Sequence, residues 1–69
     1  MIPDSSDPRW RRVLTTQGDL SSASLASRIL IARLRRDVAA APGSLTDKIA
    51  ELRGFYAKTA FAQADIAGF

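Results

Sequence analysis

Pro42-Gly43 separates two stretches of helical periodicity, and this break constrains the fold more than any other feature of the chain. Proline cannot continue a helical hydrogen-bond ladder, and glycine relaxes the backbone into a turn. On the N-terminal side, from about Leu20 to Ala41, steps of about 100° per residue gather Leu20, Ala23, Leu30, Ile31, Leu34, Val38 and Ala41 on one stripe. Asp19, Ser21 and Ser22 compete to cap its start. On the C-terminal side, from Ser44 to about Ile66, the stripe is Leu45, Ile49, Leu52, Tyr56, Ala60 and Gln63, with Ile66 and Ala67 near its end. Ser44 is the expected cap, with Asp47 three positions on as a weak capping box, and Gly68 marks the stop. Each helix is then about 22 residues, or about 33 Å long. A short connection between two helices of equal length predicts an antiparallel hairpin.

A shorter helix is expected over about residues 8–16. Asp7 can accept from an orphan N–H, and Pro8 at the first helical position lacks the donor that would otherwise go unsatisfied. Trp10, Val13 and Leu14 fall on one side, with Arg9, Arg11 and Arg12 elsewhere. About ten residues is too short for a helix to be stable alone, so this one must cover a surface. Period-2 alternation is missing throughout, which argues against strands. The reading is an all-α chain: a single small helical domain over residues 1–69, a hairpin with a short N-terminal helix, and a candidate for completion by oligomerisation or a partner.

A chain of 69 residues supports one domain with a marginal core of its own. It contains no Cys and no His. That removes disulfide staples, thiolate chemistry, Cys/His zinc sites and His-based acid–base catalysis. Without a staple or a metal, a small core usually gains help from a partner or a second copy.

The faces left over are where such help would act. On the second helix, Leu25, Ile29 and Ala32 lie together, away from the main stripe. Either the Trp10 helix folds back over this strip, or another protein or another copy covers it, or its members are singly exposed apolar residues of the ordinary kind. On the third helix, Ala50, Gly54, Ala57 and Phe61 form a second face. Gly54 inside a helix costs about 1 kcal/mol relative to Ala, and its small size would let another helix come close. The candidate partner-binding residues are therefore Leu25, Ile29, Ala50, Gly54, Ala57, Phe61 and Trp10. The Phe55-Tyr56 pair points in two directions, which suggests that more than one side of this helix is covered.

The net charge is +3, with Met1 to Arg36 carrying seven Arg against three Asp. Arg28, Arg33, Arg35 and Arg36 are the candidate contacts for an anionic partner. They surround the second helix instead of forming one blade, whereas a nucleic-acid recognition helix sets its readers on one face. Their place near the helix C-terminus also complements the macrodipole. Among the basic residues eight of ten are Arg, and Ala occurs twelve times, a composition that hints at GC-rich bacterial coding.

No converging catalytic set is visible. Asp47 and Glu51 are accounted for near a helix start, the four Gly are isolated, and Ser21, Ser22, Ser24 and Ser27 have no His to activate them. No cofactor and no metal are expected. No apolar run approaches the roughly 20 residues of a membrane span, and no secretory signal pattern opens the chain, so the expected location is the cytoplasm. In architecture, a basic, Cys-free helical hairpin of this length resembles the small co-chaperones and subunit partners of bacterial secretion systems, and small accessory subunits of larger complexes. The function expected is a non-catalytic helical protein–protein interaction module, such as an accessory subunit, adaptor or co-chaperone, binding a protein partner, itself, or both. The alternative is a small basic nucleic-acid-binding regulator or antitoxin.

Overall fold

A computed structural model describes residues 3–16, 18, 20, 21 and 23–58. Three α-helices follow one another: α1 (Pro8–Thr15), α2 (Leu25–Ala40) and α3 (Leu45–Ala57), with a single 3₁₀ turn over Pro42–Ser44 joining the last two. The described residues are all-α, with no strand among them.

The start of α1 forms as its sequence dictates. Asp7 Oδ1 accepts from the Arg9 backbone N–H at 2.9 Å, and Pro8 occupies the first turn. At the other end Thr15 Oγ1 donates back to the Arg11 carbonyl oxygen at 2.7 Å. The expected start of α2 at Leu20 is corrected to Leu25, because the cap is Ser24, which was not among the expected candidates. Its Oγ accepts from the Ser27 backbone N–H at 3.2 Å, and the Leu20 carbonyl closes a turn by accepting from the Ala23 N–H at 3.0 Å. Leu20 still packs on the core, and Ala23 is buried, without either being helical. Ser44 precedes α3 as expected but does not cap it with its side chain; its hydroxyl turns back and donates to the Ala41 carbonyl at 2.7 Å. The expected end of α3 near Ile66 falls outside the described residues, as do Ala60, Phe61 and Gln63.

The core consists of Trp10, Val13 and Leu14 from α1, Ile31, Leu34 and Val38 from α2, and Leu52 and Tyr56 from α3. Leu30, Leu45, Ile49 and Phe55 pack around it. Ion pairs tie α2 to α3 in reversed order along the chain: Asp37 with Lys48 at 3.6 Å, then Arg33 with Glu51 at 2.6 Å.

The position of α1 decides which surfaces stay open. The Trp10 ring sits 5.7 Å from Tyr56, tilted by 43°, and its Nε1 donates to the Pro3 carbonyl at 3.2 Å. Arg53 Nε donates to the same carbonyl at 3.0 Å, so the segment before α1 is held by α3 as well. Two expectations are corrected here. Trp10 is fully buried and is not a partner contact. Nor does α1 fold over the Leu25–Ile29 strip; it closes the side of the core formed by Ile31, Leu34, Leu52 and Tyr56. A helix of eight residues with one large aromatic finds more apolar area in the cleft between two helices than on the convex back of one.

Candidate interaction surface

With its buried stripe at Ser27, Ile31, Leu34 and Val38, α2 must present the opposite side outward. That side carries Leu25, Ile29, Ala32, Arg36 and Ala39, all exposed. Leu25 retains 65% of its accessible surface and Ile29 63%, the two exposed large hydrophobic residues among those described. They are four positions apart and so lie one turn above another.

The four arginines of α2 divide into two kinds. Arg35 is half-buried: Nε donates to the Val13 carbonyl at 2.7 Å and Nη1 to the Gly18 carbonyl at 3.3 Å. Burial draws its guanidinium below the ordinary value for arginine, though the group stays charged at any physiological pH. Arg33 pairs with Glu51. These two were expected as candidate anion contacts, and the structure gives both of them work within the fold. Arg28 and Arg36 are exposed and make no ion pair among the described residues. Arg36 belongs to the outward seam, and Arg28 flanks it next to Leu25 and Ala32.

Ala32, Arg35, Arg36 and Ala39 line a shallow depression of about 300 Å³ on this side of α2. Two alanines seven positions apart, about two turns, make the hollow, and Arg35 and Arg36 line it between them.

The second candidate face is on α3. Ala50 and Ala57 are exposed and Gly54 is half-buried, all on the side away from Leu52 and Tyr56; Phe61, the expected anchor of this face, lies outside the described residues. A Cβ added at Gly54 would meet nothing within 4 Å, so no neighbour within the chain requires a glycine there. Leu30, Ala50, Glu51, Gly54, Phe55 and Lys58 line a groove of about 430 Å³. Leu30 and Phe55 were not among the expected site residues, and their share in this groove follows from the packing of α2 on α3. Phe55 and Tyr56 do point apart as expected: Tyr56 enters the core, and Phe55 meets it edge-on at 5.5 Å while lining the groove.

No helix among the described residues is long and apolar enough to cross a membrane, and none of their Asp and Glu side chains gather in threes as a metal site would need. No protein-family model, characterised protein or solved structure matches this sequence.

Proposed function

We propose that this chain is a non-catalytic helical module that binds another protein. The observation that carries the reading is the exposure of Leu25 and Ile29 on adjacent turns of α2, after α1 has been spent on the core. Singly exposed apolar residues are common, but two aligned with Ala32 on one helix face provide a strip that a partner helix can cover. The engagement of Arg33 and Arg35 inside the fold counts against nucleic-acid recognition through α2, since it takes up two of that helix's four arginines.

The experiment is capture from the native host, followed by reconstitution from purified components. A single protein that co-sediments with the wild type at fixed stoichiometry, and is lost with Ile29→Glu, supports the module. A monomer that captures nothing, or whose bound material is nucleic acid with the steep salt dependence of phosphate contacts, overturns it.

A further inference from the structure

The outward residues of α2 follow a strict spacing. Leu25, Ile29, Ala32, Arg36 and Ala39 are separated by four, three, four and three positions, which is the a/d repeat of a left-handed helix pair. The buried residues Ser27, Ile31, Leu34 and Val38 show the same four, three, four pattern on the other side. Thus α2 carries two seams, of which the fold uses one. In a paired helix, each knob of the partner enters a hole formed by four residues at i, i+3, i+4 and i+7. Ala32, Arg35, Arg36 and Ala39 have that spacing, and they line the depression on the outward side of α2.

Charge selects the occupant. The helix holds four arginines against the single Asp37. Arg36 lies in the seam itself, and Arg28 flanks it. Two copies meeting through this face would set arginine against arginine. In parallel, Arg36 would stack on Arg36; antiparallel, with Leu25 against Ala39, Arg28 would fall opposite Arg36. Like charges so placed are destabilising. An acidic helix instead supplies carboxylates to Arg28 and Arg36 while its apolar seam covers Leu25 and Ile29.

We infer that the outward seam of α2 is a docking site for an acidic amphipathic helix of another protein, with its apolar residues on Leu25 and Ile29, a side chain in the Ala32–Arg35–Arg36–Ala39 hollow, and carboxylates on Arg28 and Arg36. This rests on the reading of the chain as an interaction module and adds the chemistry of its partner. From Leu25 to Ala39 the seam runs about 21 Å, which calls for a partner helix of about four turns.

The test uses two labelled synthetic helices of about four heptads, both with Leu at a and d, one with Glu and the other with Lys at e and g. Fluorescence anisotropy at low salt should show the Glu helix binding at least about tenfold more tightly than the Lys helix. Its affinity should fall about tenfold with Arg36→Glu and again on raising salt from about 50 to about 500 mM. Ile29→Glu, a change at an exposed position, should abolish binding while circular dichroism shows the fold intact. Equal binding of the two helices, no binding of either, or tighter binding of duplex DNA or phosphatidylserine vesicles than of the Glu helix would overturn the inference. The natural complex separates the two readings. A partner lost with Ile29→Glu, but indifferent to Arg36→Glu and to salt, leaves the module standing and removes the acidic helix.

Discussion

Arg35 Nε lies 2.7 Å from the Val13 carbonyl oxygen, a bond that joins the last turn of α1 to the middle of α2 across 22 positions of sequence. The final carbonyls of a helix have no partner within it, and they form the negative end of its dipole. A cation that also donates hydrogen bonds answers both needs. Arg35→Met keeps the aliphatic stem and removes the donors, and should cost about 1.5 kcal/mol. Because α1 is the element released, Trp10 emission should shift to the red and iodide quenching should rise before far-ultraviolet helicity falls. Arg35→Lys keeps the charge without the fork and should recover only part of the loss. Unchanged Trp10 emission in Arg35→Met would sink this account.

Leu34 is fully buried among residues of all three helices. Leu34→Ala should cost roughly 2–5 kcal/mol as a large-to-small core change. A domain of this size has little more than that to lose. Thermal and urea melts followed by circular dichroism should show a largely unfolded variant at room temperature; full helicity retained would contradict the core described here.

Gly54 has a helical place but no neighbour that forbids a side chain. Gly54→Ala should therefore stabilise the monomer by about 1 kcal/mol through helix propensity, which corresponds to a rise in melting temperature of about 4–8 °C. Gly54→Leu should likewise keep the helix. A lower melting temperature in either variant, appearing only at high protein concentration, would reveal a close helix contact on the Ala50–Gly54–Ala57 face. In that case the α3 face, not α2, would be the one in use.

Asp7 caps α1 and carries a pH dependence. Its carboxylate accepts from the Arg9 side chain and from the Arg9 backbone N–H, and both hold it below the ordinary 3.8. A folded-state value below the unfolded one means that the stabilisation is complete above the unfolded value and is lost as pH falls through the folded one. Acidification below about pH 4 should loosen α1, read as increasing quencher access to Trp10. The comparison is with Asp7→Asn, which keeps a neutral cap and should show a flatter acid response. Identical acid profiles for the two proteins would remove Asp7 from the explanation.

Much of this architecture follows from local rules that a sequence displays openly. The Asp7-Pro8 start, the break at Pro42-Gly43, the stripe of Ile31, Leu34 and Val38 on α2 and that of Leu52 and Tyr56 on α3 each depend on residues within a few turns of one another. Cap choice was less legible. Asp19, Ser21, Ser22 and Ser24 offer similar acceptors, and the winner, Ser24, is the one whose helix buries Ser27 one turn on.

Residue spacing along the chain sets its helices, places its main turn and makes α2 apolar on two sides. Which of those sides α1 would cover was decided only by tertiary structure. Both seams of α2 have the same spacing, so periodicity cannot rank them. The choice was made by long-range contacts: Trp10 against Tyr56, Arg53 Nε on the Pro3 carbonyl, and Arg35 on the Val13 carbonyl. Each joins residues that no local pattern relates. Together they draw α1 into the cleft between α2 and α3 and leave Leu25 and Ile29 facing outward.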